Sequence, residues 1–253
     1  MPKFNVQRVY KSIGFEVIVK LARISKKIKG LQQLVIQLGV LNAGLYTANR
    51  LAWLLPVAIS LNKYYFVVQS LSEQPLLPIG KGRRFRVVEL SVDDLNMHPC
   101  PRPVAVLADR YAQGALCLTA FKEQEFAGCL WYIDSAYQED EVRCDYRLPP
   151  QVVWDFDVYV EPKYRLTPVF LKLWDEASVK LTQNGYLWSL SRISAFNSSS
   201  LFSHKRMGAR IFAWAVFIRF GTMQLAISSL QPFFHLSFAE TSRPVFKFQL
   251  PKI

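Results

Sequence analysis

The chain has 253 residues, 51% apolar and 14% aromatic, which excludes a disordered polypeptide and suits one large domain, or one domain with an extension. The formal charge of +12 is uneven: the first 30 residues hold eight Lys or Arg against one Glu. Cys100, Cys117, Cys129 and Cys144 form no CxxC pair and histidines are scarce, so no metal is expected and the thiols read as buried and reduced.

Residues 1–29 are basic, with no clean apolar run and small-residue cleavage site after them, so no signal peptide is expected. Residues 30–49 are uncharged, but Leu31, Leu34, Val35, Leu38, Leu41 and Leu45 fall on one side of a helix among Gln and Asn. That pattern is amphipathic rather than membrane-spanning, and LAWLLPVAISL (51–61) is too short to cross a bilayer. The first 60 residues therefore read as helices that pack on the domain or lie on an anionic membrane surface. YYFVVQSL (64–71) reads as a strand, 72–84 as a Pro/Gly loop and 84–90 as a second strand. HPCPRP (98–103) delays a helix until VAVLADRYAQG, which Gly114 closes. Strands follow at 115–122 and 125–133 as a hairpin, then at 141–148 and 152–160. A helix spans 167–184, a strand 186–194 and a short helix 197–207. A hairpin about Gly221 (210–230) and a strand at 243–250 complete the chain.

The strand at 152–160 carries the most chemistry. With period two, Val152, Trp154, Phe156, Val158 and Val160 form an apolar face, and Val153, Asp155, Asp157, Tyr159 and then Glu161 form the other. Two aspartates on a central strand need water or partners. A cleft supplies the first. A ladder with Glu141, Arg143, Asp145 and Arg147 of the preceding strand would supply the second.

Two segments resemble the GNAT superfamily of N-acyltransferases. VYVEPKYR (158–165), leading into a helix, resembles the family's V-x-P-x-x-R-G-x-G-x-G/A strand-loop-helix. Asn197 to Gly208, eleven positions apart, resembles N-x-x-[AS]-x-x-x-Y-[EKR]-[KR]-x-G. The likeness spans about 140 residues, roughly Arg86 to Ser229, and extends to an uncharacterised bacterial group. It departs at the loop where the family binds the donor's pyrophosphate. The glycine positions there fall on Leu166, Pro168 and Phe170, leaving Lys163 and Arg165 as possible support. Where the family often has tyrosine, this chain has His204.

The resemblance implies a mixed α+β fold of GNAT type: a central mixed, mostly antiparallel sheet flanked by helices. The expected division is a basic helical extension over 1–63 and an acyltransferase domain over 64–253. The implied reaction moves an acyl group from a thioester donor, acyl-CoA or an acyl carrier protein, to an amine by direct attack. No permanent cofactor is implied. Val158, Tyr159, Val160, Arg165 and Asn197 would contact the donor. His204 would protonate the leaving thiolate, and Glu141, Asp155 or Asp157 would take the amine's proton. His204 also reads as a surface or capping residue, and Asn197 as a helix N-cap. The alternative function is a non-catalytic GNAT-fold binding or scaffold protein. Nucleic acid is not an expected partner, because the basic tracts lack any recognition motif. The expected location is the cytoplasm, with peripheral contact at the inner membrane.

Overall fold

The computed structural model describes residues 30, 32–52, 57–72 and 74–250; the basic stretch 1–29 and part of 51–61 lie outside them. The helices are α1 (Val40–Ala52), α2 (Val104–Ala112), α3 (Val169–Gln183) and α4 (Ser198–Arg206). The first strands are β1 (Ile59–Ser70), β2 (Phe85–Leu90), β3 (Leu116–Lys122), β4 (Glu125–Asp134), β5 (Ala136–Gln138) and β6 (Asp145–Arg147). The rest are β7 (Val152–Val160), β8 (Trp188–Ser194), β9 (Arg210–Phe220), β10 (Met223–Ser228), β11 (Phe234–Ser237) and β12 (Val245–Lys247). A nine-stranded mixed sheet runs β11-β10-β9-β1-β8-β7-β4-β3-β2. Its neighbours are antiparallel except β7 and β8. β12, β6 and β5 form a second, small sheet.

Each face of the large sheet buries a separate core. On one, Phe66, Trp131, Trp154 and Phe156 meet Leu107 of α2 and Tyr137, Tyr146 and Phe246 of the small sheet. On the other, Leu130, Val153 and Val160 meet Val169, Leu173 and Trp174 of α3, while Leu201 of α4 packs on Val67 and Ile193. β4 is central and covered on both sides, so it reads as a near-continuous apolar run. α1 follows a helical run at 32–38 that breaks at Gly39, where φ is +76°. It packs on β1: the amide of Asn42 donates to Tyr65 Oη at 2.9 Å, and Lys63 Nζ donates to Asn42 Oδ1 at 2.9 Å.

Several expectations need correction. β1 begins at Ile59, so the end of the 51–61 run is strand. The expected strand at 141–148 shrinks to Asp145–Arg147, because the 139–143 segment turns and ties itself elsewhere. Buried Arg143 there donates from Nη2 to the Thr222 carbonyl at 2.6 Å, and its backbone N–H donates to Gln224 Oε1 at 2.9 Å. The ladder with Asp155 and Asp157 therefore does not form. β5 and β11 were not expected. Cys100 and Cys129 are joined as a disulfide, since the proline-rich 98–103 segment lies against β4; Cys117 and Cys144 remain buried thiols.

The sharpest correction concerns β7. Opposite Leu130 its register slips: Trp131 pairs with Phe156, but Cys129 pairs with Tyr159. Two residues, Asp157 and Val158, thus face one, and Asp157 takes φ +48°, a conformation that aspartate tolerates better than most residues. This bulge inverts the alternation. Asp155 lies on the α3/α4 face and Asp157 on the α2 face, so the single face carrying both does not exist. Gly128 makes room for it: a Cβ there would stand 2.5 Å from the Tyr159 carbonyl oxygen. Gly128→Ala should cost roughly 1–3 kcal/mol by forcing β4 and β7 apart, read as a lowered urea midpoint at unchanged slope.

Candidate functional site

The parallel ladder between β7 and β8 covers only Val152–Trp154 against Trp188–Leu190. Beyond it β7 bulges, and a cleft of about 1010 Å³ opens between the strands. Its lining reaches both faces of the sheet. On the α2 side lie Arg102, Arg110, Asp157, Arg192 and the 139–141 turn; on the α4 side lie Asp155, Phe170, Asn197, Ser200 and His204. Val158, Tyr159 and Val160 line it between them. All nine residues singled out from the sequence line this one cleft: Glu141, Asp155, Asp157, Val158, Tyr159, Val160, Arg165, Asn197 and His204.

The carboxylates differ sharply in their surroundings. Asp157 is clamped by two arginines: it accepts from Arg110 Nη1 at 2.6 Å and pairs through its other oxygen with Arg102. Arg110 is buried and also donates to Asp140 at 2.7 Å, with its guanidinium over the Trp131 and Phe156 rings. Burial works against the Arg110 charge, but Asp157 and Asp140 outweigh it and hold its pKa above the ordinary arginine value. Glu141 is exposed and accepts from Arg192 at 2.8 Å. Arg192 is itself gripped by Glu139, 3% exposed, through two bonds of 2.6 Å. Burial raises the pKa of Glu139, and the Arg192 charge opposes that rise.

Asp155 stands apart. It is buried, and it accepts from Ser189 Oγ at 2.5 Å rather than from an arginine. Burial raises its pKa; the His204 charge and the serine bond only partly offset that. His204 is buried rather than at the surface, with Phe170 and Trp174 edge-on to its ring. Its Nδ1 lies 2.8 Å from the Ser200 carbonyl oxygen, so Nδ1 carries a proton and donates it there. Nε2 makes no hydrogen bond among the described residues. Asn197 caps α4, accepting from the Ser200 backbone N–H at 3.1 Å. At the α3 N-terminus the two candidate cations divide: Arg165 lines the cleft, while Lys163 is taken up by Glu125 outside it.

Arg102, Arg110, Ser189 and the Glu139–Arg192 pair went unremarked in the sequence. A signal existed for Arg192, an arginine inside the strand-like run YLWSLSRIS, where only a partner or a cleft tolerates a charge. Elsewhere His98, Cys100 and Cys117 bring potential metal-binding atoms within 4.8 Å of one another, but Cys100 is committed to Cys129.

No family model matches the chain, and no curated protein matches it. Among solved structures it is similar to a functionally unknown conserved protein from Staphylococcus epidermidis, at 8% identity and TM-score 0.46, over 68% of this chain and 65% of that one. It is similar to a putative GNAT-family acetyltransferase from Novosphingobium aromaticivorans, at 12% identity and TM-score 0.45, over 65% and 67%. It is also similar to AAC(6')-Iy in complex with a bisubstrate analogue, at 19% identity and TM-score 0.37, over 49% and 89%. The chain thus spans just under two thirds of the first of these proteins. The fold is GNAT-like: β7, α3, β8 and α4 follow one another as the two motifs implied, in a mixed sheet flanked by helices.

Two outcomes follow from the charges. Arg192→Met leaves Glu139 buried without its partner and should cost roughly 3–5 kcal/mol in chemical denaturation. The Asp155 pKa is raised on folding, so this group's contribution is complete below the ordinary value of 3.8 and is lost as pH rises through the raised value. The stability of wild type minus that of Asp155→Asn, measured by urea melts, should therefore fall as pH is raised from acid toward neutrality. A difference that stays constant would contradict the raised value.

Proposed function

We infer that the protein is an N-acyltransferase that moves an acyl group from a thioester, acyl-CoA or an acyl carrier protein, to an amine. The observation that carries this reading is the cleft itself: its lining, beside bulged β7 at Val158–Val160, reaches both faces of the sheet and includes Asp155 and His204 on the α4 side. In this reading the donor would enter from the α3/α4 face and the acceptor from the α2 face. The amine nitrogen attacks the thioester carbonyl carbon, the C–S bond breaks and an amide forms. A backbone N–H of Val158–Val160 would polarise the carbonyl oxygen.

Among the carboxylates proposed as base, Asp157 is held by two arginines and Glu141 by one. Asp155, with its raised proton affinity, is the stronger base, reached directly or through water. His204 delivers a proton from Nε2 to the departing thiolate, Nδ1 being fixed on the Ser200 carbonyl. Return of the Asp155 proton to His204 restores both groups. Arg165 and the α3 N-terminus would attract the donor's phosphates.

A second reading, a non-catalytic scaffold on this fold, draws on one observation. Phe170 stands at a glycine position of the family loop, its ring centroid 5.6 Å from that of His204. Calorimetric titration with acetyl-CoA and a long-chain acyl-CoA separates the two. Saturable binding is expected, and Phe170→Gly should tighten it by opening the α3 N-terminus. In a thiol-release assay over a panel of primary amines, His204→Ala should lose on the order of 10²-fold or more in turnover with donor affinity little changed. Failure of folded wild type to bind either thioester removes CoA as donor. Failure with a charged acyl carrier protein as well leaves the scaffold.

A further inference from the structure

The outer part of the large sheet carries an apolar face that the reaction does not use. Cross-strand partners point the same way, so the registers define its rows: Ile218, Leu225 and Leu236 form one, and Val216, Ile227 and Phe234 the next. The opposite face of the same strands supplies Ala213, Ala215, Phe217 and Ala226 to the core. Both faces are thus apolar, although only one is covered by the core. Phe234 is 62% exposed, Phe238 66%, Phe220 49% and Trp214 39%. Scattered exposed apolar residues need no explanation, but contiguous apolar rows do. No carboxylate occupies an outward position of β9, β10 or β11.

α1 lies on this same face, over β1, and its own Val40, Leu41 and Leu51 are exposed. The sequence that leads into it is the strongly basic one, eight Lys or Arg against one Glu in the first 30 residues. An apolar, acid-free face in a chain whose sequence before α1 is densely basic suits a surface that is negatively charged outside and apolar within. A second copy of the chain fits less well, because two chains of net charge +12 repel.

We propose that this face, with α1 at its side, is the surface through which the protein docks on anionic bilayers. Docking there leaves the mouth of the cleft on the α2 side free, and it does not depend on the acyltransferase reading. The test is flotation of the full chain with vesicles of phosphatidylcholine alone and of an equal mixture with phosphatidylglycerol. Wild type should float with the anionic vesicles. A Phe234→Ser, Phe238→Ser variant should bind about tenfold more weakly or worse. A Lys26→Gln, Lys27→Gln, Lys29→Gln variant should lose anionic preference on the order of a hundredfold. Phe234 and Phe238 lie outside the buried core, and unchanged circular dichroism of both variants would show the fold intact. Equal recovery of wild type in the soluble fraction with both vesicles overturns the proposal. So does a phenylalanine variant that floats like wild type. A wild-type dimer in light scattering that the phenylalanine variant abolishes, without flotation, assigns the face to self-association and overturns it too.

Discussion

β7 has to do two things that conflict. As a central strand it must pair with β4 along its length, and as the wall of a cleft it must part from β8. A regular strand with full ladders on both sides would leave no opening. The bulge at Asp157–Val158 resolves the conflict: pairing to β4 continues on either side of it, while the ladder to β8 stops at Trp154. Gly128 is the local condition, because any larger residue would meet the Tyr159 carbonyl. Everything at the site inherits its position from this slip. Asp155 precedes it and faces α4, Asp157 lies in it and faces α2, and Val158, in it too, lines the opening with Tyr159 and Val160 beyond.

The same slip divides the charges. A buried carboxylate is stable only if it is paired, hydrogen-bonded or protonated. On the α2 side, pairing is the solution throughout: Asp157 and Asp140 share Arg110, and Glu139 and Glu141 share Arg192. These groups form a preorganised, nearly neutral lining, rigid because each arginine serves more than one acceptor. On the α4 side Asp155 has a hydroxyl and a histidine instead of an arginine. A proton can therefore reside there at modest cost, which is the property a proton-transferring group needs and a salt-bridged one lacks.

Long periodic elements were legible in the sequence. The helix at 167–184, the strand at 152–160 and the hairpin about Gly221 appear close to their expected bounds, since local pattern and tertiary role agree there. The 141–148 segment misled because alternating charges mimic a strand face, whereas Arg143 is drawn into bonds with residues some 80 positions away in sequence. The bulge was invisible because period two holds in WDFDVYV as written. Only the glycine on the neighbouring strand marks where it breaks, and strand order is not a local property. His204, Asp155 and Asn197 were identifiable by motif or residue type. The arginine clamps around Asp157, Glu139 and Glu141 were not, because Arg102 and Arg110, just before α2 and within it, meet Asp157 of β7 from far away in sequence, and Arg192 of β8 meets the 139–141 turn likewise, pairings that only the folded chain creates.

The α3 N-terminus shows what the missing glycines change. Lys172 is the first residue of this helix whose N–H closes a turn, on the Pro168 carbonyl, so the N–H groups of Val169 to Leu171 have no helical partner there. The dipole that attracts a phosphate is therefore present. Backbone access is what the side chains alter: Val169 is buried against α3's own core, and Phe170 turns its ring into the cleft against His204. A donor approaching this end meets an aromatic surface and the Arg165 guanidinium rather than an open peptide nest. Charge alone is a weak and salt-sensitive handle at an exposed site. If the protein acts by the proposed acyl transfer, affinity for its donor has to come chiefly from the interior of the cleft beside Val158–Val160 rather than from this helix end.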